Sequence, residues 1–266
     1  MAANFDPKVL RKHILHMASV GDSVHIGCAF SLVEIVSVLY GKILKYNPEN
    51  PKDPSRDYMV LSKGHGVMAL YACLREIGWL AGEHFDNYFS DGSLLHGLGE
   101  ARIPGIEVTA GSLGHGLPIA VGLAYGIKRL KENRNVYCII GDGEMNEGTI
   151  WESLLFAGHH RLGNLAVIVD ANGFQAMGDV NEIMSIEPIS RKFRSFGFRA
   201  LECDGHNSPA IERCLQEVGK NNSPLAIITR TVKGKGVSFM ENNNQWHYLR
   251  LNKELLEKSL QEVANA

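Results

Sequence analysis

The stretch VYCIIGDGEMNEG, residues 136–148, is the most informative part of the chain because it joins an apolar run to a glycine-rich turn. Residues 136–140 are continuously apolar, which is typical of a strand buried on both faces of a parallel sheet. Two glycines bracket Asp142, and a helical pattern begins at Thr149. We therefore expect Asp142 to lie at the mouth of a buried strand, where its carboxylate is available to a ligand.

The same alternation of apolar runs and helical patterns extends over most of the chain. Strands are expected at 58–61, 136–140, 165–169, 198–202 and 225–229, and helices at 67–77, 117–130, 149–162, after Pro209 and at 251–263. This alternation predicts an α/β fold with a doubly wound, mostly parallel sheet and helices on both faces. The segments that follow the strands then share one edge of the sheet, which is where such folds bind ligands.

The first part of the chain is expected to be mainly helical. Residues 7–20 have helical apolar spacing, and Ser31 with Glu34 has the pattern of a capping box ahead of another apolar helix. The proline-rich stretch 47–54 is expected to be a loop. We expect one domain over residues 1–266, with a helical N-terminal segment over about residues 1–55.

Composition and charge argue against several classes of protein. The formal net charge is only -2, so no global charge attracts the chain to nucleic acid or to an anionic membrane. No apolar run is long enough to span a bilayer, and the start of the chain lacks the apolar core of a signal peptide. The five cysteines form no CxxC pair and lie mostly in apolar segments, which is typical of reduced core thiols. We expect a cytoplasmic protein with no nucleic acid or membrane partner.

A second polar motif, Asp170-Ala171-Asn172, follows the apolar run 165–169. If this strand and the strand 136–140 are neighbours, Asp142 and Asn172 come close together at the same edge. A carboxylate and an amide oxygen are hard ligands that suit Mg²⁺ or Ca²⁺ and not zinc. A backbone carbonyl, water and phosphate oxygens would complete the coordination, and the next helix N-terminus would supply amides. The pair of motifs therefore predicts a metal-bound diphosphate, although GDG alone could be a plain turn.

Histidines next to glycines are another unusual feature of this sequence, which has 11 histidines and 28 glycines. Such pairs occur at His65, His96, His115 and His206, and Gly27 follows His25 closely. Histidine offers hydrogen bonding and proton transfer near neutral pH, so a series of them at expected strand ends suggests a reaction site.

Lysines also occur on the expected ligand-binding edge. We interpret Lys63, Lys233 and Lys235 as solvated loop residues, which is the more common role of such lysines.

Five stretches, taken in order, resemble the transketolase family. They are HIG (25–27), LSKGHG (61–66), PGIEVTAGSLGHG (104–116), GDGEMNEGTIWES (141–153) and KGKGVSFMENNNQWH (233–247). The GDG turn followed by Asn172 is also the thiamine diphosphate signature. Because a full-length transketolase chain is more than twice as long, the chain resembles the N-terminal, diphosphate-binding subunit of a split transketolase.

The resemblance implies a set of cofactor contacts. The metal would be held by Asp142, Asn172 and the carbonyl of Phe174. The residues implied to lie along thiamine diphosphate or near its phosphates are Gly111, Ser112, Leu113, Gly143, Glu144, His65 and His247. The metal would be Mg²⁺, with Ca²⁺ as the other candidate.

The resemblance also implies roles in the reaction. His65 and His247 would face the substrate as well as the diphosphate, and His25 would lie near the reacting hydroxyl of the donor. His96 would bind the carbonyl and hydroxyl end of the donor, and Glu147 would meet a catalytic glutamate of a partner subunit. The reaction would transfer a two-carbon ketol unit from a ketose, or ketose phosphate, to an aldose or aldose phosphate.

A transketolase also needs parts that this chain does not contain. The resemblance implies a partner subunit with the pyrimidine-binding and C-terminal domains, and an α2β2 assembly. Two alternatives remain open at this point: the α-subunit of a thiamine-dependent 2-oxoacid dehydrogenase or synthase, and a non-catalytic homologue.

Four positions depart from the usual family pattern, namely Val24, Ile26, Gly97 and His115. They flank the expected substrate funnel, so they bear on the identity of the sugar more than on the type of reaction. We expect them to mark an unusual ketose, with one that does not end in phosphate as a specific hypothesis.

Overall fold

A five-stranded parallel sheet runs through the part of the molecule that the computed structural model describes, residues 3–21 and 25–265. Of the four departures, Val24 lies outside the described residues. The strands are β1 (Tyr58–Leu61), β2 (Val136–Gly141), β3 (Leu165–Ala171), β4 (Arg199–Asp204) and β5 (Leu225–Arg230). Their order across the sheet is β1-β2-β3-β5-β4, and every neighbouring pair is parallel.

The helices lie around this sheet. They are α1 (Pro7–Val20), α2 (Ile26–Phe30), α3 (Val33–Val38), α4 (Val67–Ile77), α5 (Gly82–Asp86), α6 (Gly116–Leu130), α7 (Gly148–His159), α8 (Val180–Met184), α9 (Ile189–Ser195), α10 (Ser208–Leu215) and α11 (Lys253–Asn265). Among the described residues, none of these helices combines the length and the apolarity that crossing a membrane requires.

The strands contribute side chains to two separate apolar cores, one on each face of the sheet. In β2, Tyr137 and Ile139 join one core, whereas Cys138 and Ile140 join the other, because successive side chains of a strand point to opposite faces. Helices α1 to α5, α10 and α11 supply the first core, and α6 to α9 supply the second. The expected doubly wound α/β fold is therefore confirmed.

The expected capping box of the third helix is wrong. Helix α3 begins after Leu32 and has no side-chain cap. The Ser31 hydroxyl instead donates to Asp170 Oδ2 (2.7 Å), and Glu34 forms a buried ion pair with Arg11 (2.7 Å). Both side chains pack against distant parts of the chain, and these tertiary partners outweigh the local capping pattern.

Candidate active site

The two strand ends expected to meet are neighbours in the sheet. Gly141 at the end of β2 pairs with Asp170 in β3, so that Asp142 and Asn172 emerge at the same edge. The Asp142 carboxylate accepts hydrogen bonds from the backbone N–H groups of Gly143 (2.8 Å) and Gly173 (2.6 Å). The Asn172 amide oxygen accepts from the N–H of Phe174 (3.0 Å). Both side chains are buried and held in fixed orientations.

The chemistry of these donors fits a bound cation. Asp142 is 4% exposed, and burial together with the neighbouring charge of Asp170 raises its pKa to about 7. The nearby Lys63 forms its ion pair with Asp170 and not with Asp142. No three His, Cys, Asp or Glu side chains within residues 3–21 and 25–265 form a ready-made metal cage. A metal at Asp142 and Asn172 would therefore also take backbone, water or diphosphate oxygens, as Mg²⁺ usually does.

Asp170 is fully buried and organises the base of the site. Its carboxylate accepts hydrogen bonds from the hydroxyls of Ser31 and Thr231 and from the Asn172 amide, and it pairs with the Lys63 ammonium. Burial alone would raise the pKa of Asp170, but Lys63 and the hydrogen bonds outweigh it and hold the pKa below its ordinary value. Asp170 is thus a structural anion that fixes the positions of its neighbours.

Two of the three lysines interpreted as solvated are buried, so that interpretation is wrong for Lys63 and Lys233. Lys63 is satisfied by Asp170, and Lys233 donates to Asn244 Oδ1 (2.6 Å). Lys235 differs from them, since its half-exposed side chain pairs with Glu241 (3.2 Å). Loops after buried strands can enclose a lysine when the fold supplies its partners, which a local pattern does not reveal.

Lys233 also sets the orientation of a site histidine. Its Nζ lies 2.9 Å from His247 Nδ1. A lysine ammonium can only donate, so His247 accepts at Nδ1 and carries its own proton on Nε2 when neutral. Burial, reinforced by the charge of Lys233, lowers the pKa of His247 to about 3.

His25, His65 and His247 converge on one another. Their ring centroids lie 5.3 Å apart for His25 and His65, 4.9 Å for His25 and His247, and 5.6 Å for His65 and His247. Burial and the nearby lysines lower the pKa of His25 to about 4 and hold the pKa of His65 well below its ordinary value. The three imidazoles are therefore neutral near neutral pH and able to give or accept protons.

Two cavities meet at this cluster and share His25, Leu98 and Gly111. The inner cavity, of about 310 Å³, contains the sheet-edge residues. Its lining includes these expected site residues: His25, His65, Gly111, Leu113, Asp142, Gly143, Glu144, Asn172, Phe174 and His247. The outer cavity, of about 630 Å³, is lined by His25, His96, Gly97, Leu98, Glu100 and Ser112 among others.

His96 lines the outer cavity and does not belong to the three-histidine cluster. The two are linked only in that His25, a member of the cluster, also lines the outer cavity. Its ring is 37% exposed, and its Nε2 lies 3.8 Å from the Glu100 carboxylate, which pairs in turn with Arg102 (2.7 Å). The backbone carbonyl of His96 accepts from the Tyr71 hydroxyl (3.2 Å). The loop is thus anchored by its backbone, while the imidazole remains accessible.

Glu144 and Glu147 have different surroundings although both belong to the GDG motif. The buried Glu144 carboxylate accepts from the Ser62 hydroxyl (2.5 Å) and from the N–H groups of Gly114 (2.8 Å) and Gly141 (3.1 Å). Glu144 therefore ties the segment after β1 and the segment before α6 to the end of β2, at the lining of the inner cavity. Glu147 is exposed, and neither cavity includes it.

The remaining departures from the family pattern lie in different places. Ile26 is fully buried in the core and lines neither cavity. Gly97 lines the outer cavity, where a Cβ would lie 3.1 Å from the ring of Phe89. His115 is exposed and bonds through Nδ1 to the Leu113 carbonyl (3.1 Å). Only Gly97 among these three therefore borders the described cavities.

Sequence reasoning did not assign several residues that shape the site. They are Lys63, Lys233, Asp170, Cys28 and Leu98, of which Lys63, Cys28 and Leu98 line the inner cavity. Asp170 could have been found because it belongs to the same DAN motif as Asn172. Cys28 carried no local signal, since its contact with His247 Nδ1 (3.5 Å) joins two ends of the chain.

Comparison with known proteins shows the family of this chain. The family model described as transketolase, thiamine diphosphate binding domain, matches residues 8–263. The chain therefore belongs to the transketolase family, through its thiamine diphosphate-binding domain. This confirms the resemblance inferred from the five motifs.

Two curated relatives match over nearly their whole length. The chain is 35% identical to one subunit of the apulose-4-phosphate transketolase of Actinobacillus succinogenes, over 96% of this chain and 93% of that protein. It is 37% identical to one subunit of the 6-deoxy-6-sulfo-D-fructose transketolase of a Clostridium species, over 96% of this chain and 94% of that protein.

Full-length transketolases match only in part. The chain is 34% identical to human transketolase over 96% of this chain but 41% of that protein. The crystal structure of Campylobacter jejuni transketolase superposes with a TM-score of 0.90 at 31% identity, covering 97% of this chain and 42% of that chain. The chain therefore spans about two fifths of these enzymes.

Proposed function

We propose that this chain is the diphosphate-binding subunit of a two-subunit transketolase, which uses thiamine diphosphate and Mg²⁺ to transfer a two-carbon ketol unit from a ketose to an aldose. The observation that carries the proposal is the convergence of three neutral histidines beside Asp142 and Asn172 at one sheet edge. A 2-oxoacid dehydrogenase would not require this histidine cluster, and a non-catalytic homologue would not need to keep it.

The chain's own residues suit both parts of the cofactor site. Asp142, Asn172 and the carbonyl of Phe174 would hold the metal, and Ca²⁺ could replace Mg²⁺ at such oxygen ligands. At Gly143, a Cβ would lie 2.7 Å from Gln175, so a side chain there would push against a residue that lines the cavity. When bound, the cofactor supplies the carbanion chemistry that cleaves and forms the carbon–carbon bonds.

The histidines would handle the protons of the substrate hydroxyls. His247 presents its Nε2–H because Lys233 occupies Nδ1. His25, at the junction of the two cavities, would act on the reacting hydroxyl, and His65 would contact the diphosphate. His96 would bind the carbonyl end of the donor. Once covered by the proposed partner, the site would also restrict access of water to the reacting atoms.

The proposed partner supplies the pyrimidine-binding and C-terminal domains, in an α2β2 complex. The exposed carboxylate of Glu147, which lines neither described cavity, is available to a neighbouring subunit. Gly111 and Ser112 are exposed as well, as expected of residues that a partner and cofactor would cover together. We expect the complex to act in the cytoplasm.

We propose that the substrate is an unusual ketose. No lysine or arginine within the described residues lines the outer cavity, so an anionic end of the sugar would have to be bound by the partner. Two relatives are named for apulose 4-phosphate and for a sulfonated fructose, which are uncommon sugars. A donor that does not end in phosphate is a specific form of this proposal. A substrate panel in which plain pentose and hexose phosphates react best would contradict it.

The first test is a ketol-transfer assay with thiamine diphosphate and Mg²⁺. The assay is run on three samples: this chain by itself, a candidate partner encoded next to it by itself, and their mixture. Each sample is tested first with a pentose phosphate pair and then with the uncommon ketoses. Activity that requires both chains supports the shared active site. Cofactor binding without ketol transfer to any acceptor would reject the reaction while retaining the cofactor site.

A further inference from the structure

Cys203 and Cys214 form a pair of thiols that line neither cavity of the candidate active site. Cys203 lies near the end of the edge strand β4, and Cys214 lies near the end of helix α10, which packs on that strand. Both side chains line the same surface cleft, close enough for the two thiols to influence each other. The other cysteines, Cys28, Cys73 and Cys138, are each fully or almost fully buried.

This thiol pair is open to solvent through a cleft. Both cysteines line a surface cavity of about 420 Å³ between β4 and α10, together with Asp204 and Arg213. Both are partly exposed, in contrast to the three core cysteines. The expected core location therefore holds for Cys28, Cys73 and Cys138 but not for this pair. A small oxidant that enters this cleft meets both cysteines without unfolding of the core.

The two sulfurs have different chemical characters. Interaction with the Cys203 thiol lowers the pKa of Cys214 to about 7 against the opposing effect of burial, and the neighbouring Arg213 acts in the same direction. The pKa of Cys203 is raised because its proton is shared with Cys214 and because it is partly buried. Cys214 is then the nucleophile, and Cys203 is the resolving thiol.

We propose that Cys203 and Cys214 are a redox modification site that forms a reversible disulfide when a hydroperoxide or a small disulfide enters the cleft. With hydrogen peroxide, the Cys214 thiolate attacks one oxygen, the O–O bond breaks, and hydroxide leaves and takes up a proton. Cys203 then attacks the sulfenic sulfur and displaces the second water. The two thiols lose two electrons and two protons, and the peroxide becomes two waters.

The disulfide would link β4 to α10 and enclose the segment 204–213 between them. This segment includes His206, whose Nε2 accepts from the Val232 N–H (2.8 Å) and whose Nδ1 lies 2.8 Å from Glu34. Val232 immediately precedes Lys233. The modification site is thus connected to the loop that carries Lys233 through His206, among other contacts, although the disulfide is proposed independently of the proposed function.

Peptide mapping tests this proposal directly on the full native chain. The reduced protein is treated with hydrogen peroxide, the remaining thiols are blocked with iodoacetamide, and the protein is digested with trypsin without reduction. Cleavage after Arg199, Arg213 and Lys220 separates the two cysteines. We expect a linked pair of peptides, 200–213 and 214–220, lighter than their sum by two hydrogens and lost after treatment with dithiothreitol.

Variants identify the role of each sulfur. Cys203→Ser should abolish the linked pair and leave a Cys214 sulfenic acid that dimedone traps, whereas Cys214→Ser should give at least several-fold less trapping at Cys203. Cys73→Ser is the matched control and should leave the linked pair unchanged. The proposal is overturned if wild-type protein gives no linked pair, or gives it only after denaturation. Oxidation of Cys214 alone in wild-type protein would also overturn it.

Discussion

The two ends of the active site are built differently. At the inner end, Asp170, Lys63 and Lys233 are buried and each has fixed partners. At the outer end, His96 and Glu100 are partly exposed, and His96 Nε2 lies 3.8 Å from the Glu100 carboxylate, beyond the length of a hydrogen bond. The chain alone thus organises the region that would receive the diphosphate and metal. The region that would receive the sugar is organised only in part.

This difference has a physical reason. A multiply charged diphosphate and a cation are bound best by protein groups that are already desolvated and correctly oriented. Buried, hydrogen-bonded side chains meet both conditions. A sugar with many hydroxyls can exchange its hydrogen bonds with water at a more open surface. We therefore expect substitutions at the inner end to affect binding of the cofactor or the fold itself, and substitutions at the outer end to affect turnover.

The largest effect is expected for Asp142→Ala. Loss of this carboxylate should abolish metal-dependent binding of thiamine diphosphate, because it removes the only anionic side chain of the proposed ligand set. Calorimetry on the two-subunit complex, with and without Mg²⁺, measures this effect. The fold should survive, since Asp142 has no ion pair among the described residues. Unchanged affinity would exclude Asp142 from the metal site.

Asp170→Ala should act on the fold itself. It leaves the Lys63 ammonium buried without its partner, which typically costs about 3–5 kcal/mol of unfolding free energy. Urea denaturation of the isolated chain provides the measurement. Glu100→Ala is the matched control from the outer end, and its half-exposed ion pair should contribute only about 0–1 kcal/mol. Similar losses of unfolding free energy in the two variants would show that the inner and outer ends do not differ in their contribution to stability.

His96→Ala should reduce turnover by about 100-fold, in the range typical of a lost hydrogen-bonding or proton-transfer group. Its affinity for thiamine diphosphate should remain near that of wild type, because His96 lies only in the outer cavity. Steady-state kinetics and cofactor titration on the complex separate the two effects. Loss of cofactor binding would instead assign His96 to the inner end.

The smallest effect concerns pH. The pKa of His247 is lowered to about 3 and that of His25 to about 4, so the folded protein binds fewer protons there than the unfolded chain. The contribution of these two histidines to the free energy of unfolding should therefore fall as pH decreases below about 6.5, the ordinary value for histidine, toward pH 4, whereas Asp142, whose pKa is raised to about 7, contributes in the opposite direction.

NMR titration of the histidine ring signals, together with urea denaturation at several pH values, measures this effect. Lys233→Met should raise the pKa of His247, because it removes the adjacent positive charge while most of the burial remains. Titration of His247 near pH 6.5 in the wild-type protein would show that its imidazole is not desolvated.

The main outline of the molecule could be predicted from the sequence. Continuous apolar runs ending in GDG and DAN predicted two buried strands, with Asp142 and Asn172 at one edge if those strands were neighbours. The structure shows that they are neighbours, and the carboxyl ends of parallel strands meet at one edge. The predicted strand boundaries were less accurate: β3 extends to Ala171, whereas the sequence predicted a strand over 165–169. The motifs of the transketolase family also named the histidines that converge in the structure.

By itself, the sequence determined the class of fold, the family and the residues at the ends of the strands, since these depend on periodicity and local motifs. Only the tertiary structure decided which polar groups are satisfied in the interior. Lys63 meets Asp170 across segments that the sheet brings together, and Lys233 meets His247 within the folded segment that follows β5. The contact between Cys203 and Cys214 likewise depends on how α10 packs on β4. Burial and partnership are properties of packing, and no local pattern of residues specifies them.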